Sequence, residues 1–93
     1  MGLEDLDVLV LEVLPGGQAE KVGLRKGDVV TSYAGERITA LGRLIRLVAV
    51  NSAPDIDLSI RRDGQPIALK VGAGKLGARF EERANPIPSH VSR

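Results

Sequence analysis

The chain contains no cysteine and no tryptophan, and it has one phenylalanine, one tyrosine and one histidine among 93 residues. Without cysteine there is neither a disulfide framework nor a thiolate metal site. The single histidine, His90, rules out a multi-histidine metal site, and its place in a polar terminal stretch argues against a packed Ser-His-Asp constellation. So few aromatics leave an aliphatic interior and none of the stacking platforms of nucleic-acid binders. A formal net charge of +1 removes their electrostatic footprint too. No apolar run is long enough to span a bilayer, so membrane insertion is not expected. The opening residues Met1-Gly2-Leu3-Glu4-Asp5 are acidic where a signal peptide is basic and then apolar. The expectation is a cytoplasmic protein or a domain excised from a longer chain, with compartment set by the parent. The proline-bearing stretch Asn85 to Arg93 favours excision.

What is present is enough for one small globular domain, since 43% of the residues are hydrophobic and 27% charged. We expect an N-terminal lead over residues 1–7, the domain over 8–83 and a polar tail or linker over 84–93. Val8 to Leu14 is nearly continuous and apolar, which predicts a central strand buried on both faces, stopped by Pro15-Gly16-Gly17. Gln18 to Val22 has room for a short helix, which Gly23 ends. Val29 to Tyr33 predicts a strand, followed through Ala34-Gly35 by a shorter one ending at Ile38. Thr39 is a suitable N-cap for the longer helix, in which Leu41, Leu44, Ile45 and Val48 recur at helical spacing. Beyond Pro54, Ile56, Leu58 and Ile60 alternate with polar residues, Asp63-Gly64 predicts a hairpin, and Ile67, Leu69 and Val71 form its return strand. A turn rich in glycine, Gly72 to Gly77, leads to a last strand over Leu76 to Glu82. The expected fold is mainly β with two helices: a partly open antiparallel barrel or sandwich of about six short strands, capped by one short and one longer helix. Val10 and Leu58 belong to the expected core.

The turn could present bare backbone N–H groups to an anion, because glycines reach unusual backbone angles and admit close approach. Gly72-x-Gly74-x-x-Gly77 also matches a dinucleotide fingerprint. It fails on context, because a strand rather than a helix is expected after it and no acidic residue follows about 20 positions on. Gly74-Lys75 lacks the remaining parts of a phosphate loop. The pair Glu81-Glu82 is expected to be a solvated strand end, and Arg61 and Arg62 a solvated strand face.

The run Val13-Leu14-Pro15-Gly16-Gly17-Gln18-Ala19-Glu20-Lys21-Val22-Gly23-Leu24-Arg25-Lys26-Gly27-Asp28-Val29-Val30 resembles the strand, short helix and Gly-Leu-x-x-Gly-Asp turn of bacterial PDZ domains, as found in proteases of the HtrA type. Arg61-Arg62-Asp63-Gly64 resembles their hairpin, and Lys75-Leu76-Gly77-Ala78 their carboxylate-binding loop. The resemblance covers residues 8 to 82. In that family the loop and the strand after it usually precede the strand that resembles Val8 to Leu14, whereas here they come last, which implies a circular permutation with the loop at the C-terminal end.

The function implied is non-catalytic recognition of an extended or C-terminal hydrophobic peptide by strand addition, between the strand 77–82 and the helix 40–50, within a larger bacterial protein. The implied peptide-binding residues are Lys75, Leu76, Gly77, Ala78, Arg79 and Phe80 with Leu41, Leu44, Ile45 and Val48. The N–H groups of Leu76, Gly77 and Ala78 would hold a terminal carboxylate, and Lys75 or Arg79 would add charge. The small Ala78 implies a roomy pocket for Leu, Phe or Met, and Leu41 an apolar preference two residues before the terminus. A bulky residue at Gly77 should then impair binding more than folding. Several of these residues have a plainer reading: Leu44, Leu47, Val48 and Phe80 as core, Gly23, Gly27 and Asp28 as turn geometry, and the turn itself as a simple connection. The partners expected are apolar protein C-termini, the domain being a monomer or a weak homodimer through the groove or tail. No cofactor or metal is implied, and any catalysis would lie in a different domain. The alternative is a structural or self-association module whose groove is filled by its own tail or by a neighbouring subunit.

Overall fold

Alternating apolar residues in short runs, punctuated by turns, give six strands and two helices in the computed structural model, which describes residues 6–84. In chain order these are β1 (Leu6–Val13), α1 (Gln18–Val22), β2 (Val29–Tyr33), β3 (Glu36–Arg37), α2 (Leu41–Val50), β4 (Ile56–Arg62), β5 (Gln65–Val71) and β6 (Ala78–Ala84). The strands form one open antiparallel sheet in the order β5-β4-β2-β1-β6, with β3 paired to β2. The fold is α+β and PDZ-like. Two residues of the expected lead, Leu6 and Asp7, belong to β1, and Ala84 belongs to β6. The rest of lead and tail, and with it any occlusion of the groove by the tail, lies outside the described residues. Among the described residues no helix is long and apolar enough to cross a membrane.

Local chemistry accounts for the connections. Asp63 and Gly64 both take positive φ, 54° and 78°, the geometry of the two-residue turn whose twist suits a β-hairpin. In α1 the Glu20 carboxylate reaches back to the Gly16 N–H at 2.7 Å, supplying a cap that Gly17 lacks. Gly23 ends this helix with φ 91°, and Leu24 packs beneath it, 4% exposed.

The core gathers the inward residues of every layer: Val8 and Val10 of β1, Val30 and Tyr33 of β2, Ile56, Leu58 and Ile60 of β4, Ala19 of α1 and Leu44 of α2. β1 is central, between β2 and β6, but it is not buried on both faces as its composition suggested. Leu9 is half-buried and Leu11 is 40% exposed. A bulge between Val10 and Glu12 against β6 inserts an unpaired residue, and two short helices do not cover both sides of the sheet. The helix start also differs from expectation. Ala40, not Thr39, is the N-cap of α2, and it offers no side-chain hydrogen bond.

Candidate functional site

Two elements far apart in sequence frame the main concavity. β6 ends the sheet, and α2 lies beside it, leaving an apolar groove of about 410 Å³. Leu41, Leu44, Ile45 and Val48 form the helix wall, Ala78 and Phe80 the strand wall, and Lys75, Leu76, Gly77 and Leu14 the closed end. Of these, Leu44 and Leu76 double as core, 1% and 4% exposed, while Ile45 is 58% exposed. An aliphatic side chain so open on a helix wall has apolar surface to give to a ligand.

The groove brings together nine of the ten residues expected to bind peptide. Arg79 is the exception. Alternation along β6 turns it to the other face, where it is exposed and lies 3.5 Å from Glu12. Leu14 lines the groove although the sequence did not mark it, because it follows β1 directly and its partner is the distant loop.

The loop's backbone is held from behind. The Leu76 carbonyl accepts from the Ala19 N–H at 2.7 Å and the Gly77 carbonyl from the Leu14 N–H at 2.9 Å. In a trans peptide unit the next N–H points opposite to the carbonyl, so the Gly77 and Ala78 N–H groups turn away from α1 and β1. Val13 and Ala78 face each other across the ladder as a pair that does not exchange hydrogen bonds, because the flanking Leu14–Gly77 bond fixes that pattern. The backbone groups of Ala78 therefore face the open edge, and by alternation so do those of Phe80 and Glu82.

Three further residues shape this site. The Gln18 side chain staples the loop to α1: its Oε1 accepts from the Gly72 N–H at 2.6 Å, and its Nε2 donates to the carbonyls of Lys75 at 3.0 Å and of Gly72 and Ala73 at 3.3 Å. Gly17 packs against Gly77 so closely that a Cβ on Gly77 would lie 2.9 Å from the Gly17 Cα. At the groove's other end the Glu82 carboxylate accepts from the Leu41 N–H at 2.7 Å. This caps a helix that has no acidic residue in its own first turn. Glu82 is thus more than a solvated strand end, though neither it nor Gln18 has a partner close in sequence that would have betrayed its role.

A second hollow, about 220 Å³, is polar and is lined by Arg25, Lys26, Gly27, Asp28, Arg62 and Asp63. Two of its charges pair with each other. Arg62, expected on a solvated face, forms a two-point fork on Asp28 at 2.9 and 2.8 Å, and donates to the Gly23 carbonyl. Asp28 is 1% exposed and also accepts from the Arg25 N–H at 2.8 Å. Burial pushes its carboxyl upward, but the Arg62 fork and the Arg25 N–H outweigh that and hold it below the ordinary value of 3.8. A depressed carboxyl contributes stability that is present above pH 3.8 and is lost as pH falls through the lower, folded-state value. Replacing Asp28 with Asn is therefore expected to cost about 2 kcal/mol at pH 7. Urea midpoints of the two proteins should converge below pH 3.8, and a gap unchanged between pH 7 and pH 3 would contradict the pairing.

Comparison with known proteins bears on the fold that frames these sites. A family model described as PDZ domain matches residues 9–62, ending before β5, the loop and β6. The chain is 38% identical over 79 residues to a Ralstonia nicotianae protein named as a zinc metalloprotease, covering 85% of this chain and 16% of that protein. It is 43% identical over 72 residues to a Synechocystis protein named as the serine protease HhoA, covering 74% and 18%. With the periplasmic pH-dependent serine endoprotease DegQ of Escherichia coli it shares 32% over 63 residues, covering 67% and 14%. The chain thus spans less than a fifth of the length of these relatives.

Proposed function

This chain belongs to the PDZ-domain family, and on that premise we propose that it captures the C-terminus of a partner polypeptide by adding it as a strand to the open edge of β6. The observation that carries this function is the pinned loop: carbonyls fastened to α1 and β1 leave the Gly77 and Ala78 N–H groups directed at the open side, beside an apolar groove. Such N–H groups suit a carboxylate, and the exposed Lys75 adds positive charge at the same end. A peptide running antiparallel to β6 would place its last side chain against Leu76, Ala78 and Val48. The side chain two residues earlier would lie against Phe80, Ile45 and Leu41, so both positions favour apolar residues.

Loop and strand follow the rest of the fold instead of preceding β1, an order we attribute to circular permutation. The pairing of Leu6 with Ala84 supports it, because a hairpin could join β6 to β1 there. The domain carries no catalysis of its own in this scheme and serves a larger bacterial protease as its peptide-recognising part.

The test is a backbone amide NMR titration with a peptide ending in apolar-x-apolar-carboxylate, beside the same peptide amidated at its C-terminus. Shifts are expected at Leu76 to Phe80 and along Leu41 to Val48, weakened at least tenfold in affinity by amidation, as for loss of a charge-assisted anchor of ~1.5–3 kcal/mol. Equal shifts with both peptides would remove the carboxylate role of the loop, and no shifts with either would remove the groove.

A further inference from the structure

We propose that Glu82 determines specificity at the far end of this groove by selecting a lysine or arginine four residues before the carboxylate terminus; this rests on the peptide-binding function proposed above. The geometry follows from the strand. Ala78, Phe80 and Glu82 expose their backbone groups on one edge and their side chains on one face. A peptide anchored by its carboxylate at Gly77 and Ala78 sets its last residue beside Ala78, the residue two before it beside Phe80, and the residue four before it beside Glu82. Directly opposed side chains on neighbouring strands have Cβ atoms about 5 Å apart, within reach of a long basic side chain. From Ala78 to Glu82 the edge is about 13 Å long, and there Glu82 meets the start of α2 through the Leu41 N–H.

The charges around that end favour a cation. Three basic groups of β6 and α2 are engaged elsewhere: Arg83 holds Glu81 at 2.6 Å, Arg43 holds Glu36 at 2.7 Å and Arg79 approaches Glu12. Among the described residues Glu82 has no ion-pair partner. One of its oxygens takes the Leu41 N–H, and the other is left to a ligand. Lys75 stands at the opposite end, beside the loop. The groove is thus positive where the carboxylate would sit and negative four residues earlier, a polarity that also fixes the direction of the peptide.

An exposed pair of this kind is worth only a few-fold in affinity, and salt screens it. Three labelled peptides ending in apolar-x-apolar-carboxylate, with Lys, Gln or Glu four residues before the terminus, would be titrated by fluorescence anisotropy at low and high ionic strength. The proteins compared are the wild type, Glu82→Gln and Glu82→Lys. Glu82→Gln keeps an acceptor oxygen for the Leu41 N–H, which separates the charge from the helix cap. The wild type is expected to prefer the Lys peptide to the Glu peptide by about three- to tenfold at low salt, with the gap closing at high salt. The preference should vanish in Glu82→Gln and reverse in Glu82→Lys. Equal binding of all three peptides by the wild type, or a lysine preference that survives Glu82→Lys, would overturn this assignment alone. Failure of every peptide to bind would overturn the groove's function and this assignment with it.

Discussion

Replacing Gly77 by valine is expected to lower the stability of the domain by roughly 2–4 kcal/mol and to weaken peptide binding more than tenfold. Two effects add at this position. Its φ of 78° lies in the left-handed region that side chains, branched ones above all, rarely adopt. The new Cβ would also lie 2.9 Å from the Gly17 Cα and 3.3 Å from the Gln18 backbone nitrogen, and these are backbone atoms that cannot swing aside. Relief would come only by lifting the loop off α1, breaking the Ala19–Leu76 and Leu14–Gly77 hydrogen bonds and re-aiming the N–H groups offered to the carboxylate. Folding and binding are therefore coupled here, whereas the sequence alone suggested that binding would suffer more. Gly74 is the control, because its φ is 96° but no atom lies within 4 Å of a Cβ placed there. Gly74→Ala should cost about 1 kcal/mol and leave affinity nearly unchanged. Chemical denaturation and peptide titration of both variants measure the difference. If Gly77→Val and Gly74→Ala proved equally mild, the close approach to Gly17 would not constrain the loop.

Truncating Leu58 to alanine is expected to remove about 3–4 kcal/mol. Leu58 is fully buried on β4, where it faces Tyr33 of β2 on one side and Leu69 of β5 on the other. The cavity left would be walled by paired strands that cannot collapse into it, so the cost exceeds the transfer term alone. That is a large share of the ~5–10 kcal/mol available to a domain of this size, and it corresponds to a fall in thermal midpoint of about 15 °C or more. Leu11→Ala removes the same atoms from an apolar strand of similar composition, but Leu11 is 40% exposed, and the loss there should stay near 1 kcal/mol. Urea unfolding of the two variants distinguishes them, and equal losses would mean that the outer face of β1 is as well covered as the core.

The contrast between these leucines marks how far the sequence could be read. Hairpin, helix stop and strand count were legible because each depends on neighbours within a few residues: two positive φ angles at Asp63-Gly64, a left-handed cap at Gly23, alternation from Ile56 to Ile60. The groove was legible for the same reason, since each wall carries its own period, three to four residues in α2 and two in β6. The partners that hold those walls in place were not. Arg62 finds Asp28 across 34 positions, Glu82 finds Leu41 across 41, and Gln18 finds Gly72 across 54.

By itself the sequence determined the elements, their order and, for β4, which residues face inward, because backbone preference and side-chain period act locally. Only the tertiary structure decided that one face of β1 stays open, that Arg79 leaves the groove while Leu14 enters it, and that a glutamine, a glutamate and two touching glycines shape the site. Those outcomes depend on which strands become neighbours and how closely the chain packs on itself. Polar side chains such as Gln18, Asp28 and Glu82 carry no sign of their partners until folding brings those groups within hydrogen-bonding distance.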